Sequence, residues 1–313
     1  MKGLPKRLGV TLIELLVVFS VIALLAGISL PAIQSARERA RINTCQNRLR
    51  QLVLASHHHH NAFKHLPTGG WGYRWVGIAG RGVGENQPGG WIFNCLPFLE
   101  QQALFDRIRP TDDGLIPAQP LQVELPLVRC PSRPGPAVVK CAKKPMPVNS
   151  HPLGDVARTD YAACEGDIIT DSKAGPDDLS PSAIQRYRWA DTSAANGVCF
   201  QRSMVRFRDI RDGQSQTYFC GEKYVRQSEY FSSDDLGYDQ SALSGIDVDL
   251  VRWTHLLPKR DSGASEIRRF GSVHAAGFSM AFCDASVKFL SYSIDPAIHR
   301  SQGTRYTVGS RTR

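Results

Sequence analysis

The sequence lacks the short motifs that identify nucleotide-binding proteins and many hydrolases. No Gly-x-Gly-x-x-Gly follows a clear strand and no Walker-type loop is present, so nucleotide binding is unsupported. A Gly-x-Ser-x-Gly elbow is absent too. On paper, a hydrolytic site can be assembled from four separate residues: Glu222, Ser272, His274 and Asp284. Because no motif favours that arrangement, the sequence predicts that the protein is not an enzyme.

Cysteines with metal-binding or redox spacing are also missing. None of the eight cysteines lies three positions from another, which argues against a zinc ribbon or a thioredoxin-like motif. They are Cys45, Cys95, Cys130, Cys141, Cys164, Cys199, Cys220 and Cys283. An even count in an exported domain permits disulfides, and burial as small apolar side chains is the alternative. The sequence leaves both open.

Nucleic-acid-binding motifs are absent as well, although the formal net charge is +9. The chain has no zinc-finger spacing, no RNP-type motif and no basic helix on a soluble domain. We therefore expect no nucleic-acid partner.

Charge is scarce in residues 10–33, a run of 24 residues whose one charged side chain is Glu14. About 20 helical residues cross the hydrocarbon core of a bilayer, so this run can span a membrane. A cleaved signal peptide fits less well, because residues 26–29 offer a poor cleavage site. Thr11 and Glu14 match a capping box, which would begin the helix. That pattern does not explain an acid in hydrocarbon, which costs about 2–3 kcal/mol.

The stretch LGVTLIELLVV (residues 8–18) resembles the cleavage and methylation motif of type IV prepilins and type II secretion pseudopilins. The resemblance implies that prepilin peptidase cuts between Gly9 and Val10 and then methylates the new terminus. Prepilins usually have Phe where this chain has Val10. In a filament, the Glu14 carboxylate would meet the terminal amine of a neighbouring subunit, which rewards correct register. A proline near Pro31 is also part of the pilin pattern.

Residues 34–66 keep helical spacing and predict a continuation of the same long helix. A histidine run lies near the end of this segment. Its His57 and His60 are one helical turn apart and could chelate a metal. No Asp, Glu or Cys lies nearby in sequence to complete such a site, so packing of the helix end on the head is favoured.

The pattern of residues 67–313 predicts a globular head of the α+β class with an antiparallel sheet. A short amphipathic helix is expected at residues 94–108. The strand-like segments, separated by turns, are 125–131, 159–164, 196–200, 205–210, 216–222, 279–283 and 287–293.

Segments across nearly the whole chain resemble, in order, a large domain-of-unknown-function family of prepilin-like proteins. That family has a C-terminal motif of His, nine residues, Asp and Gly. His274 and Asp284 keep the spacing, but Ala285 replaces the glycine. Such a residue would strain a turn of positive φ by roughly 1 kcal/mol. His57 and His60 look like the paired histidines of this family. A structural role is favoured for all four motif residues, and no metal ligand is predicted among them.

Two features of the head leave alternatives open. The acidic stretch with Asp234, Asp235, Asp239, Asp247 and Asp249 suits calcium by its oxygen ligands but lacks EF-hand spacing, so a surface loop is favoured. Five tryptophans could bind a carbohydrate or pack the core. They are Trp71, Trp75, Trp91, Trp189 and Trp253.

The resemblances together imply a prepilin-like structural subunit with four segments: a leader (1–9), a transmembrane and assembly helix (10–33), its continuation (34–66) and the head (67–313). It would span the inner membrane once, with its head outside the cytoplasm. After assembly it would reach the cell surface or the periplasm. Its expected partners are the membrane, prepilin peptidase and homologous pilin-like subunits. The alternative is a membrane-anchored module that recognises a carbohydrate or surface polymer. No cofactor is expected, calcium being the weaker alternative.

Overall fold

The computed structural model describes residues 11–140 and 147–306. Its contacts divide the chain into an N-terminal unit that ends at Asn43 and a second unit that begins at Thr44. The longest element, helix α1 (Leu12–Phe63), contributes to both units.

The N-terminal unit consists of the first part of α1. Its apolar side chains are exposed, among them Leu12 at 80% and Ile28 at 68%. In the described part of the chain, α1 is the one helix long and apolar enough to cross a membrane. Pro31 lies inside it, where its ring removes one backbone donor.

Over its described residues, the second unit contains short helices and nine strands. The helices are α2 (Trp91–Cys95), α3 (Gln102–Arg107), α4 (Ala118–Leu121), α5 (Pro181–Arg186) and α6 (Pro296–Gly303). The strands are β1 (Val138–Lys140), β2 (Asp155–Ala157), β3 (Tyr161–Gly166), β4 (Tyr218–Glu222), β5 (Val251–Trp253), β6 (Lys259–Arg260), β7 (Gly271–Ser272), β8 (Gly277–Phe282) and β9 (Val287–Ser291).

The main sheet has five strands in the order β5-β3-β4-β8-β9. Strands β3, β4, β8 and β9 pair antiparallel, while β5 pairs with β3 in parallel. Two smaller pairs complete the unit, β1 with β2 and β6 with β7. A long apolar helix followed by a mixed head with antiparallel strands confirms the predicted α+β, pilin-like layout.

Strands β3, β4 and β8 are buried at every position. Because successive side chains of a strand point to opposite faces, both faces of the sheet are covered along these strands. One face packs into the large core with Leu49, Leu52 and Val53 of α1 and with Trp91 of α2. The other face forms a smaller cluster with residues such as Tyr218 and Phe278. On that side, His299 of α6 has its ring centroid 5.6 Å from the ring of Tyr218.

Four of the seven predicted strands are confirmed, as β3, β4, β8 and β9. Residues 125–131 and 205–210 instead form 3-10 turns at Pro126–Val128 and Phe207–Asp209. Pro126 cannot donate to a strand ladder, and the Asp209 carboxylate accepts from the Arg206 backbone N–H at 2.8 Å. Residues 196–200 are irregular.

The helical predictions needed two corrections. Residues 94–108 are not one helix: α2, a 3-10 turn at Leu96–Phe98 and α3 follow one another. The break coincides with Glu100, whose φ of 59° lies outside the helical region. Helix α1 ends at Phe63 rather than at residue 66, because Lys64 adopts a φ of 65°.

Candidate functional site

The predicted processing residues, Gly9 and Val10, lie outside the described residues, and the structure begins at Thr11. Thr11 and Glu14 bond reciprocally at the start of α1. The Thr11 backbone N–H donates to Glu14 Oε2 at 2.8 Å, and the Glu14 backbone N–H donates to Thr11 Oγ1 at 3.3 Å. The capping box therefore supplies acceptors for two of the backbone donors that a helix start leaves unpaired.

Glu14 is surrounded along the helix by exposed apolar side chains, Leu12, Ile13 and Leu15 being the nearest. Within residues 11–140 and 147–306, its hydrogen bonds go to Thr11 and no ion pair joins it to a cation. A carboxylate on an apolar helix surface therefore lacks a charged partner within the described part of the chain.

His57 and His60, near the end of α1, each form a hydrogen bond with a different segment of the second unit. His57 Nε2 donates to the carbonyl of Cys283 at 2.7 Å, next to Asp284. His60 Nε2 accepts from the Phe207 backbone N–H at 3.3 Å, and its ring lies 4.1 Å from that of Phe207. These contacts attach the end of α1 to the β8–β9 hairpin and to the turn at Phe207.

His274 and Asp284 lie in different environments. Asp284 is exposed in the β8–β9 turn, where its Oδ1 accepts from the Ser286 backbone N–H at 2.9 Å and from Ser286 Oγ at 2.6 Å. The residue after it, Ala285, adopts a φ of 66°. This is the left-handed conformation for which the family glycine is suited. Asp284 thus stabilises the turn, while His274 is buried elsewhere.

The His274 ring belongs to a buried cluster with Cys45, Cys130 and Glu222. His274 Nε2 lies 3.2 Å from Glu222 Oε1 and 3.6 Å from Cys130 Sγ. Cys130 Sγ and Cys45 Sγ are 2.9 Å apart. The ligand atoms of all four residues lie within 4.8 Å of one another. Cysteine, histidine and carboxylate are the ligands that zinc prefers.

Four distant segments bring this cluster together. Cys45 lies on α1, Cys130 follows the turn at Pro126–Val128, Glu222 ends β4, and His274 follows β7. Sequence reasoning had paired His274 with Glu222 on paper but missed both cysteines. No local signal could have revealed them, because the spacing between ligands is set by the fold rather than by one motif.

Neighbouring groups hold these side chains in place. Glu222 Oε2 accepts from the Ser279 backbone N–H at 2.7 Å, and the Cys130 backbone N–H donates to Asp160 Oδ2 at 2.6 Å. Burial by itself lowers the pKa of His274, but hydrogen bonds to Cys130 and Glu222 raise that pKa to about 11. In the absence of a competing ion, the imidazole is therefore a buried cation next to a carboxylate.

Ser272 is one of the four residues from which a hydrolytic site could be assembled by sequence. Its hydroxyl is hydrogen-bonded to main-chain groups. Its Oγ donates to the Gly277 carbonyl at 2.9 Å and accepts from the His274 backbone N–H at 3.0 Å. A nucleophilic serine instead gives its proton to the ring of a base. The observed bonds support a structural role for Ser272.

Next to Asp160 lies a buried network of charges. The Asp160 carboxylate pairs with Arg133 at 2.8 Å and with Arg129 at 3.0 Å, and Tyr238 Oη donates to it. Arg133 also pairs with Asp261 at 3.1 Å. Burial favours the protonated form of Asp160, but the two guanidinium groups hold its pKa well below its usual range. Sequence analysis singled out none of these residues.

The acidic stretch is only partly gathered in space. Oxygens of Asp239, Asp247 and Asp249 lie within 4.8 Å of one another. Asp249 Oδ1 is paired at 3.2 Å with the ammonium group of Lys223, which is fully buried. Removal from water, reinforced by the Asp249 charge, raises the pKa of Asp247 to about 8. A lysine therefore already supplies positive charge where calcium would bind.

Four of the five tryptophans are core residues. Trp71, Trp75, Trp91 and Trp253 are at most 3% exposed. Trp91 Nε1, for example, donates to the Leu250 carbonyl at 2.9 Å. Trp189 is half-buried and packs edge-on against Trp71, with ring centroids 5.5 Å apart. These rings are used for packing, and four of them offer no surface on which a sugar could stack.

Comparisons with known proteins identify two regions of the chain. Residues 34–297 match the family described as "Protein of unknown function (DUF1559)". Residues 4–30 match the "Prokaryotic N-terminal methylation motif". No curated protein and no solved structure matches the chain.

Proposed function

The chain belongs to the DUF1559 family of proteins of unknown function and carries the prokaryotic N-terminal methylation motif, and on this premise we propose that it is a prepilin-like structural subunit. Prepilin peptidase removes residues 1–9 and methylates Val10. The mature subunit assembles with homologous pilin-like subunits in a type IV pilus or a type II secretion pseudopilus-like structure. Residues 10–33 form the membrane and assembly helix, 34–66 its continuation, and 67–313 the head.

The observation that carries this proposal is the surface of the first part of α1. Its leucine, isoleucine and valine side chains are about half exposed or more, and burying each stabilises by roughly 1.5–3 kcal/mol. Lipid can cover these side chains, but it cannot neutralise the Glu14 carboxylate. A neighbouring subunit can do both, because its helix covers apolar surface and its terminal amine supplies a positive charge. Glu14 is therefore the residue on which helix register depends.

The orientation rests on the prepilin motif, because such motifs are cut on the cytoplasmic face and Gly9 precedes the apolar run. Charge alone does not set the orientation, since Lys2, Lys6 and Arg7 precede the run and five arginines follow it within residues 34–50. The N-terminus is then cytoplasmic and the head lies outside the cytoplasm. The subunit spans the inner membrane once before assembly and reaches the periplasm or cell surface with the filament.

The first experiment is mass spectrometry of the N-terminal peptide of protein made in its native host. We expect a peptide that begins at Val10 and carries one added methyl group. A Gly9→Val variant, in which the peptidase site is blocked by a larger side chain, should keep residues 1–9. An intact terminus in the unaltered protein would mean a simple signal anchor, and a cut after the apolar run would mean secretion. Either result would overturn the prepilin proposal.

A further inference from the structure

We propose that Cys45, Cys130, Glu222 and His274 bind one divalent transition-metal ion of the zinc class. The site lies inside the second unit, where it joins α1, the loop after the turn at Pro126–Val128, β4 and the segment after β7. This inference is independent of how the N-terminus is processed, and it departs from the expectation that the chain binds no metal.

The distances support a tetrahedral ion. With zinc–sulfur bonds of about 2.3 Å and zinc–nitrogen or zinc–oxygen bonds of about 2.1 Å, tetrahedral ligands lie about 3.6 Å apart for sulfur and nitrogen and about 3.4 Å for nitrogen and oxygen. The Cys130 Sγ–His274 Nε2 distance is 3.6 Å, and the His274 Nε2–Glu222 Oε1 distance is 3.2 Å. The two sulfurs, 2.9 Å apart, need to separate by roughly 0.9 Å to reach the tetrahedral spacing of about 3.8 Å.

Burial indicates a structural rather than a catalytic ion. All four side chains are at most 3% exposed, and four protein ligands fill a tetrahedral shell with no position left for substrate or water. The Ser279 backbone N–H donates to Glu222, and the Cys130 backbone N–H donates to Asp160. Hydrogen bonds of this kind hold metal ligands in position.

Binding exchanges protons for the ion. Thiolates and a neutral imidazole are the ligating forms, so any protons on these groups leave as the metal enters. Two thiolates and one carboxylate carry three negative charges, one more than a divalent ion neutralises. The Arg133 guanidinium, which is paired with Asp160 and Asp261, supplies further positive charge near Cys130.

A Cys45–Cys130 disulfide is the competing interpretation. It would join the two sulfurs and leave His274 and Glu222 as a separate buried pair 3.2 Å apart. A metal ion accounts for all four side chains, and each is of a type that zinc binds. The cluster composition therefore favours the ion.

The test is elemental analysis of the full chain, purified in detergent without chelators. We expect about one zinc ion per chain, and a decrease of about tenfold or more in Cys130→Ser and in His274→Asn. Cys199→Ser is the matched control, because Cys199 is a core cysteine only 1% exposed and should leave the metal content unchanged. Near-ultraviolet circular dichroism checks that each variant is folded.

A second readout needs no variant. Co²⁺ exchanged into the unaltered protein should show thiolate-to-metal charge-transfer bands and the visible bands of a tetrahedral ion. Absence of bound metal in the unaltered protein, together with failure to take up added Zn²⁺ or Co²⁺, would overturn the proposal. So would peptide mapping that finds Cys45 and Cys130 joined in protein from the native host.

Discussion

The two parts of helix α1 treat the same kinds of side chain in opposite ways. In the N-terminal unit, leucines are exposed and Glu14 has no cationic partner in the described chain. In the second unit, Leu49 and Leu52 are fully buried. The polar Ser56 is buried there too, and its Oγ donates to the Leu52 carbonyl at 3.0 Å. One continuous helix thus contains a surface that needs a covering from outside and one that the chain covers itself.

The charges make the same contrast. Asp160, fully buried in the head, has two guanidinium partners, whereas Glu14 has the Thr11 cap. An unpaired charge on an apolar surface is costly, so the two carboxylates must be satisfied differently. The head satisfies its charges within one chain, and we infer that the helix satisfies Glu14 only in an assembly.

The largest expected effect comes from removing the Glu14 carboxylate, which lies on the exposed part of α1. Glu14→Ala should reduce the assembled fraction about tenfold or more, because a wrong register would no longer leave a carboxylate unpaired. Assembly is measured by pelleting sheared filaments, and the membrane fraction shows that unassembled subunits are still inserted. Glu38→Ala is the control, since Glu38 lies on the same helix and pairs with Arg41 at 3.8 Å. Normal assembly of Glu14→Ala would refute the role of Glu14.

The next prediction removes the charge of Asp160, which is buried in the head. Asp160→Asn should lower the free energy of unfolding by about 3–5 kcal/mol, because Arg129 loses its carboxylate partner and Arg133 keeps only Asp261. Tryptophan fluorescence of the full chain in detergent during urea titration measures the change. Asp177→Asn, in an exposed pair whose nitrogen–oxygen distance to Arg74 is 3.1 Å, should cost less than about 1 kcal/mol. Equal costs would contradict a special role for the buried network.

Leucine truncation sharpens the comparison along α1 itself. Leu49→Ala should destabilise the second unit by about 3 kcal/mol, because it leaves a cavity in the main core. Leu24→Ala removes the same atoms from a side chain 65% exposed and should change that stability by less than about 0.5 kcal/mol. The same urea titration measures both. A large effect at Leu24 would mean that the helix surface is covered within the single chain.

A buried acid gives the head a pH dependence. Burial raises the pKa of Glu165 from its usual 4.5 to about 8, although a hydrogen bond from Thr170 partly opposes the shift. The folded state keeps a proton that the unfolded state releases, so stability is full below about pH 4.5 and falls as pH rises towards about pH 8. Glu165→Gln should therefore gain about 3–5 kcal/mol relative to the unaltered protein between about pH 5 and about pH 9.

The measurement is urea unfolding at several pH values for both proteins. Glu124→Gln, at an exposed glutamate, is the matched control. A difference between Glu165→Gln and the unaltered protein that stays constant with pH would show that Glu165 is ionised alike in both states.

Local sequence patterns predicted the elements whose apolar composition alone indicates a membrane or a buried environment. The long apolar run before Ile33 indicates a membrane helix, and β3, β4, β8 and β9 are apolar enough to be recognised as strands. Residues 196–200 have the same strand-like composition, yet the backbone N–H groups of Val198 and Cys199 both donate to the Cys164 carbonyl. Tertiary contacts, and not propensity, decided that segment.

The buried clusters were beyond the reach of sequence for the same reason. Cys45 and His274 are far apart along the chain, and neither has a metal-binding neighbour in sequence. Their meeting depends on α1 packing against the sheet, which is a property of the whole fold. By contrast, the Asp284–Ala285 turn was foreseeable, since the departure from the family glycine marks a position that needs positive φ.

That departure supplies the smallest predicted effect. Ala285→Gly should raise the free energy of unfolding by about 0.5–1 kcal/mol, because Ala285 adopts a φ of 66° that glycine adopts without strain. Ala297→Gly is the control of opposite sign: Ala297 is exposed in α6, where glycine costs about 0.5–1 kcal/mol. The Ala285 methyl group also packs against the main core, and its loss opposes the gain. Destabilisation by Ala285→Gly would therefore mean that this packing outweighs backbone strain, and that the alanine is an adaptation of the head rather than a tolerated defect.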